Sequence, residues 1–368
     1  MEAYARERPQ TERVQPLVSV VIGTFNGEKY LRSAIEGILA QTFVDFELIV
    51  IDDYSTDHTL DVLSAIHDPR LRIIRNERNL GVSATLNKGI DLAARRYVAF
   101  QDHDDLSLPD RLYRQTRFLQ KHPEVAMVGS SCSIIDGSGA LVREVPAKCD
   151  DADLRWRLLW HNPFFQTTLM IRRDVLVEIG GYSSDPMYRL SEDYELMSRV
   201  AMRHPVANLP EFLGCWREHE HSTSAPESKG KRLLESRKNI SLRNVRELWP
   251  RSGDQISDEK LFGIYDALWS FQYPVNDDQF RNAPGHIPLA LEHLTRLEGL
   301  FSTTTPNLHQ THLTRAKRYY RWGRHAVALS MRSNGDAVSR ARLLLHAMRL
   351  LGCSVTILAQ ANQKTPQV

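Results

Sequence analysis

The chain has 368 residues, of which 42% are hydrophobic and 25% are charged, as in an ordinary soluble globular protein of about two domains. Its formal net charge of +2 excludes a protein built mainly to coat nucleic acid. The four cysteines show no CxxC spacing, which favours buried thiols in a reducing compartment over a disulfide framework or a zinc site.

We expect no targeting signal in the first residues of the chain. Residues 1–16 are charged and lack an apolar core, so we predict a flexible lead-in and not a signal peptide. The chain contains no apolar run of about 18 residues, so no transmembrane helix is expected. These features predict a cytoplasmic protein.

Apolar runs alternate with helical patterns over the first hundred residues. The predicted strands are LVSVVIG, FELIVIDD, LRIIRN and YVAFQD, and the predicted helices are EKYLRSAIEGILAQ, STDHTLDVLSAIH and GVSATLNKGIDLAAR. Continuous apolar strands between helices are typical of a parallel sheet covered on both faces. Ligands of such sheets bind beyond the carboxyl ends of the strands, where the polar motifs TFNG, DDYSTD and QDHDD lie.

The remaining chain changes character near residue 226. Before that point, AMVGSSCSIID predicts a further strand, FFQTTLMIRRDVLVEIGGY a strand and a short helix, and LSEDYELMSRVAM a helix. After it, basic helix-forming stretches dominate. We therefore predict the lead-in at 1–16, an α/β catalytic domain at 17–225 and a helical C-terminal region at 226–368.

Three aspartates, Asp102, Asp104 and Asp105, follow the fourth predicted strand. Two carboxylates about 4 Å apart repel by roughly 4 kcal/mol at an effective dielectric near 20, so something must offset that cost. One interpretation is a divalent cation that holds a diphosphate. The other is a solvated acidic loop before a helix that begins near Pro109. The residues alone leave both interpretations open.

The second strand ends in VIDDYSTD, which also allows two interpretations. Asp53 could accept hydrogen bonds from a base or a ribose, or it could cap the next helix together with Ser55. The first strand is not followed by GxGxxG, which disfavours a nicotinamide-binding domain.

Three further motifs are equivocal when each is taken alone. In LSEDYEL, Glu192 and Asp193 could supply a general base or merely complement the helix dipole. In CWREHEHSTS, Arg217 and His219 suit a metal-bound diphosphate, or they belong to a polar surface loop. The aromatic cluster WHNPFF could stack on a sugar or lie in the core.

Taken in order, six segments resemble the family 2 inverting glycosyltransferases, which have the GT-A fold. They are VSVVIGTFNGEKYLRSAIEGILAQTFVDFELIVIDDYSTDHT, NLGVSATLNKGI, YVAFQDHDDLSLPDRL, GGY, SEDYELMSRV and WREHEHSTS. The resemblance implies a mostly parallel Rossmann-like sheet with helices on both faces. It also implies transfer of a sugar from a nucleoside-diphosphate donor, with UDP favoured, to a hydroxyl of a glycan or lipid-linked glycan, as in surface polysaccharide synthesis.

The resemblance also implies roles for individual residues, with Phe25 expected near the base. The nucleotide would be bound by Thr24, Phe25, Asn26, Glu28, Asp53, Asn79, Ser83, Asp102 and Arg217. Mg²⁺ or Mn²⁺ would be held by Asp104, Asp105 and His219. The catalytic pair would be Glu192 and Asp193, with Asp193 as the general base. The acceptor would meet Trp160, Phe164, Gln166 and Tyr182, although members of the family often carry a histidine in place of Gln166.

Other functions and partners stay open at this point. A sugar-phosphate nucleotidyltransferase would usually show a glycine-rich loop with a basic residue after the first strand, and an inactive sugar-nucleotide-binding protein would not need the acids. Nucleic acid is not expected as a partner, and a homo-oligomer stays open. The basic amphipathic segment 339–352 could lie on the inner face of an anionic membrane or pack against protein.

Overall fold

The computed structural model describes residues 17–159, 161–220 and 226–248. The strands are β1 (Val18–Thr24), β2 (Phe46–Asp52), β3 (Leu71–Arg75), β4 (Tyr97–Phe100), β5 (Leu106–Ser107), β6 (Met127–Ile135), β7 (Leu141–Val145), β8 (Met170–Arg172) and β9 (Val206–Arg217). The helices are α1 (Leu31–Leu39), α2 (Thr59–Ser64), α3 (Val82–Leu92), α4 (Arg111–Lys121), α5 (Asp151–Arg157), α6 (Arg173–Ile179), α7 (Glu192–Arg203) and α8 (Pro226–Leu248).

The chain divides into two compact units. The first unit consists of the described parts of Met1–Val145, Phe165–Gly181 and Glu211–Arg217. The second unit consists of the described parts of Pro146–Phe164, Tyr182–Pro210 and Glu218–Val368. The basic segment 339–352, for which membrane contact was considered, lies outside the described residues. Within the described part of the chain, no helix is both long and apolar enough to span a bilayer.

The first unit is built on a sheet with the strand order β3-β2-β1-β4-β8-β6-β9-β5, to which β7 is added beside β6. β1 is parallel to both β2 and β4, and β2 is parallel to β3. These four strands confirm the predicted parallel sheet. The apolar runs of β1, β2 and β4 are buried almost throughout, whereas the edge strand β3 is largely exposed. Since Thr24 pairs with Asp52, the carboxyl ends of β1 and β2 meet at one edge.

Beyond β4 the pairing changes to antiparallel, in β4 with β8, β8 with β6, β6 with β7 and β9 with β5. The sequence analysis did not predict β5, β7 or β9. β5 has only two residues, and β7 is an exposed edge strand, so neither produces a clear apolar run.

Helices cover the parallel strands as the helical spacing predicts. α1 buries Leu31, Ala34 and Ile35 on one face. α3 approaches β1 at Gly89, where a Cβ atom would overlap the Val21 side chain. The glycine therefore lets helix and sheet pack closely, which places the start of α3 beside the edge where β1 and β2 end.

The second unit packs α7 against α5 and α8. The Tyr194 hydroxyl lies 3.2 Å from the Ser241 hydroxyl, and Asn244 Nδ2 donates to the Leu158 carbonyl at 2.8 Å. Glu195 is buried in α7 and is paired with guanidinium groups on both sides, from Arg199 and Arg243. This pairing satisfies a carboxylate that would otherwise be costly to bury and fixes α7, whose first turn carries Glu192 and Asp193.

Candidate functional site

The loops that follow β1 and β2 are joined by hydrogen bonds. Asn26 N donates to Ser55 Oγ at 2.9 Å, and Gly27 N donates to Thr59 Oγ1 at 2.8 Å. Ser55 therefore binds the neighbouring loop, and the prediction that it caps α2 is wrong. The N-cap position of α2 belongs to His58, which makes no side-chain cap bond.

Two residues predicted to bind the nucleotide use their side chains within these loops. Asn26 Oδ1 accepts from Thr56 N at 2.9 Å, and Glu28 Oε2 accepts from His58 N at 2.9 Å. Phe25, which directly precedes Asn26, is by contrast 44% exposed. The loop after β1 thus presents an aromatic ring to solvent while its polar side chains hold the loop after β2.

Asp53 positions the segment that leads into α3. Only 4% of the residue is exposed, and its carboxylate accepts from Asn76 Nδ2, Leu80 N and Gly81 N, each at 2.8 Å. Of the two interpretations of Asp53, the one in which it caps α2 is therefore wrong. The same bonds fix the main chain at Leu80 and Gly81. Asn79 and Ser83, the other residues of this region predicted to bind the nucleotide, flank these two positions in the sequence.

The aspartate cluster follows β4 at the same edge of the sheet. Asp102 and Asp104 are partly exposed, whereas Asp105 is fully buried. Asp105 Oδ1 accepts from Arg217 N at 2.8 Å. Asp105 Oδ2 is buried and makes no hydrogen bond of good geometry among the described residues, although the Thr167 side chain is close enough to lower the pKa of the carboxyl in part. Burial raises the pKa of the Asp105 carboxyl well above its ordinary value, and the charges of Asp102 and Asp104 raise it further. A buried carboxylate oxygen without a partner is costly, and a ligand that supplied one would relieve that cost.

Arg217 and Gln166 hold this cluster from two sides. Arg217 is buried; its Nε donates to the Asp104 carbonyl at 2.8 Å, and its guanidinium lies 4.6 Å from the centre of the Tyr30 ring. Gln166 Nε2 donates to Asp102 Oδ1 at 2.7 Å. Gln166, predicted to meet the acceptor, thus contacts the acid predicted to meet the nucleotide.

A third supporting residue, Arg111, was not singled out from the sequence. It begins α4, is fully buried, and forms no ion pair among the described residues. All five of its N–H groups are used, in bonds of 2.7 to 3.3 Å to Gln115 Oε1, Gln101 Oε1, Ser107 Oγ, Phe100 O and Leu169 O. Burial lowers the pKa of Arg111 to about 9, against the opposing effect of the charges of Asp102 and Asp105. Arg111 therefore joins β4, β5 and the segment before β8 behind the aspartate cluster.

The predicted general base lies in the second unit, in the first turn of α7. Asn162 Nδ2 donates to Asp193 Oδ2 at 2.9 Å, and Asn162 Oδ1 accepts from Phe164 N at 3.0 Å. The second bond fixes the orientation of the amide, so its NH₂ group faces the carboxylate. Burial raises the pKa of the Asp193 carboxyl, while the Arg237 charge and the Asn162 hydrogen bond lower it in part. Burial also raises the pKa of Glu192.

The remaining predicted residues fall into three groups. Phe164 and Tyr182 are buried, so their rings contribute mainly to packing. His219 is partly exposed in the second unit. Trp160 lies outside the described residues, as does Ser222 of the R-x-H-x-x-S pattern.

The aspartate cluster offers the kind of donors that a hard cation prefers. Among the described residues, no three His, Cys, Asp or Glu side chains are arranged to hold a metal by themselves. Nucleotide-bound Mg²⁺ usually takes only one or two carboxylates and completes its shell with phosphate oxygens and water. The unpartnered Oδ2 of Asp105, beside the partly exposed Asp102 and Asp104, fits that mode of binding.

Comparison with known proteins gives a consistent result. The family model described as glycosyl transferase family 2 matches residues 19–181. An uncharacterized glycosyltransferase of Haemophilus influenzae is 33% identical over 221 residues, which cover 57% of this chain and 68% of that protein. The amylovoran biosynthesis glycosyltransferase AmsE of Erwinia amylovora is 30% identical over 203 residues, which cover 54% of this chain and 74% of AmsE.

Among solved structures, that of S. aureus TarS 1–349 in complex with UDP-GlcNAc superposes with a TM-score of 0.54 at 16% identity, covering 92% of each chain. At that identity the likeness concerns the fold alone, and it confirms the predicted GT-A fold. With the relatives and the family model, the resemblance seen in the sequence is also confirmed. The chain belongs to glycosyl transferase family 2.

Proposed function

We propose that this protein is an inverting, metal-dependent glycosyltransferase that moves a sugar from a UDP-sugar to a hydroxyl of a glycan or lipid-linked glycan. The observation that carries the proposal is the cluster of Asp102, Asp104 and Asp105, held by Arg111, Arg217 and Gln166 at the carboxyl edge of the sheet. The name of the relative AmsE supports a role in polysaccharide biosynthesis.

The proposed roles follow from the chemistry of the side chains. Asp102 would contact the nucleotide together with Thr24 and the Asn79–Ser83 segment. A divalent cation held by Asp104 and Asp105, with His219 as a further candidate ligand, would neutralise the charge of the departing diphosphate.

Asp193 would accept the proton of the acceptor hydroxyl. The acceptor oxygen then bonds to the anomeric carbon as the bond from that carbon to the diphosphate breaks, and the leaving group departs with the bonding electrons. Attack from the face opposite the leaving group inverts the configuration. The raised pKa of Asp193 suits this role, because a stronger base accepts a proton more readily near neutral pH.

The experiment that tests the proposal measures release of nucleoside diphosphate from UDP-, TDP- and GDP-sugars in the presence of Mn²⁺. No glycan is added, so water acts as the acceptor and the donor is hydrolysed. NMR of the freshly released sugar reports its anomeric configuration. We expect release from one donor class with inversion. Retention of configuration, or no release from any donor, would refute the proposed activity.

We expect Asn162→Ala to shift the acidic limb of the kcat/KM profile to higher pH. The base must be ionised to accept a proton, and the Asn162 hydrogen bond lowers the pKa of Asp193. Without that bond the pKa of Asp193 rises, so on acidification the variant loses activity at a higher pH than the wild type does. Profiles between about pH 5 and about pH 9 check this. The control Asn208→Ala removes a buried amide of the same unit and should leave the acidic limb at its wild-type pH. If the acidic limb of Asn162→Ala also stays at its wild-type pH, the assignment of Asp193 as the general base is refuted.

A further inference from the structure

Tyr54, directly after Asp53, has a backbone conformation that favours glycine. Its φ angle is +67°, a region that bulky residues rarely adopt and that costs free energy when they do. The ring does not recover that cost by burial, since 45% of the residue is exposed. Strained residues of this kind concentrate at sites that bind ligands, so the ring needs a functional explanation.

Arg75 holds the Tyr54 ring in place. Its guanidinium carbon lies 5.0 Å from the ring centre, within the range of a cation–π contact. The guanidinium is itself fixed, because Nε lies 3.2 Å from Oδ2 of the buried Asp52 and Nη2 donates to the Ser55 carbonyl at 3.1 Å. The ring is thus supported by Arg75 and stays partly exposed to solvent.

The backbones of Phe25 and Tyr54 are neighbours at the edge where nucleotides bind in α/β sheets. Asp53 N donates to the Thr24 carbonyl at 2.8 Å on one side of the pair, and Asn26 N donates to Ser55 Oγ on the other. These two bonds bracket residues 25 and 54 on adjacent strand ends, and both rings are exposed to nearly the same extent.

Most polar side chains around the two rings already have hydrogen-bond partners, and among the described residues the buried Thr24 Oγ1 is an exception. Asp53 binds the segment before α3, Asn26 and Ser55 bind across the two loops, and Asp52 binds Arg75. What this part of the edge offers a ligand is therefore mainly aromatic surface. A planar base is the part of a nucleoside diphosphate that such a surface recognises.

We infer that Tyr54 is a further nucleotide-binding residue whose ring, supported by Arg75, stacks on the base of the donor nucleotide. The inference rests on the proposed function, which expects Phe25 near the base and assigns Tyr54 no role. Stacking on a preorganised ring adds affinity for any flat base and none for the diphosphate.

The test compares a probe that has a base with one that lacks it. Titration calorimetry with UDP and with inorganic pyrophosphate, both with Mn²⁺, is carried out on the wild type, Tyr54→Gly and Tyr54→Phe. For Tyr54→Gly we expect UDP affinity to fall about tenfold to a hundredfold and pyrophosphate affinity to stay unchanged. Tyr54→Phe, which keeps the ring, should bind UDP like the wild type.

Two controls separate stacking from folding. Glycine is the residue that best tolerates φ of +67°, so Tyr54→Gly should unfold at a temperature no lower than the wild type. Tyr113→Ala removes a tyrosine from α4 that is equally exposed, at 44%, and should not alter UDP affinity. Unchanged UDP affinity in Tyr54→Gly, or an equal loss for both probes, would overturn the inference. Failure of the wild type to bind UDP would instead count against the proposed function, and it is seen before any variant is made.

Discussion

Asp193→Asn is expected to lower the rate of sugar transfer by about 10²- to 10⁴-fold, the usual contribution of a general base. The amide has nearly the shape of the carboxylate, and its oxygen can still accept the hydrogen bond from Asn162. It cannot take up a proton at neutral pH. The substitution therefore removes the proton acceptor and leaves the geometry of the first turn of α7 in place.

The stability of Asp193→Asn provides a check on this explanation. The pKa of Asp193 is raised in the folded state, so the carboxyl favours folding when it is protonated, and that contribution disappears as the pH rises through the folded-state pKa. Near neutral pH the asparagine variant should therefore be at least as stable as the wild type.

Steady-state transfer and UDP calorimetry on the same preparations measure the effect of Asp193→Asn. Asp153→Asn is a matched control, since it neutralises another acid of the second unit, one that pairs with Arg157 at 2.9 Å. The control should keep the wild-type rate, and Asp193→Asn should bind UDP normally. A variant at Asp193 that retained more than about a tenth of the wild-type rate would exclude the residue as the base.

Arg111→Met is expected to lower the free energy of unfolding by about 3 to 5 kcal/mol. The methionine fills much of the space but donates no hydrogen bond, so the buried carbonyls of Phe100 and Leu169 lose their guanidinium donor, and so do Ser107 Oγ and the side-chain carbonyls of Gln101 and Gln115; the Leu169 carbonyl still accepts from Phe100 N at 3.0 Å. Each buried polar group left unpaired costs about 1 to 3 kcal/mol. The substitution also removes the cost of desolvating the Arg111 guanidinium, and this gain offsets only part of the loss.

Urea unfolding of Arg111→Met, Arg111→Lys and Arg172→Met tests this expectation. Arg172 is also buried, but it donates to the carbonyls of Val125, Leu119 and His122, none of which belongs to the loop of Asp102. Arg111→Met and Arg172→Met should both lose stability. Only substitution of Arg111 should also weaken Mn²⁺-dependent UDP binding, because it supports the aspartate cluster. A loss of stability below about 1 kcal/mol in Arg111→Met would contradict the structural role given to its five bonds.

The sequence predicted the parallel strands and the aspartate cluster because both depend on local patterns. β1 and β2 are uninterrupted β-branched runs, and Asp102, Asp104 and Asp105 are adjacent in the chain. Such features need no knowledge of distant contacts.

The supporting residues could not be predicted, because their partners are remote in the chain. Arg111 stands in PDRL, which looks like an ordinary helix start, and its burial depends on Leu169, 58 residues later. Gln166 was placed with the acceptor, yet it bonds to Asp102, 64 residues earlier. The strain at Tyr54 depends on a backbone angle that its residue type would argue against.

The most direct test of the central claim is titration calorimetry with UDP, TDP and GDP, each with and without Mn²⁺, on the wild type, Asp104→Ala and the control Asp110→Ala. Asp110 is exposed near the end of the same loop and bonds to Thr42, so its loss should not affect the nucleotide. We predict that one nucleotide binds only with Mn²⁺ and that Asp104→Ala abolishes this binding. If none of the three nucleotides binds to the wild type, the aspartate cluster is an acidic loop and the proposed transferase activity is wrong.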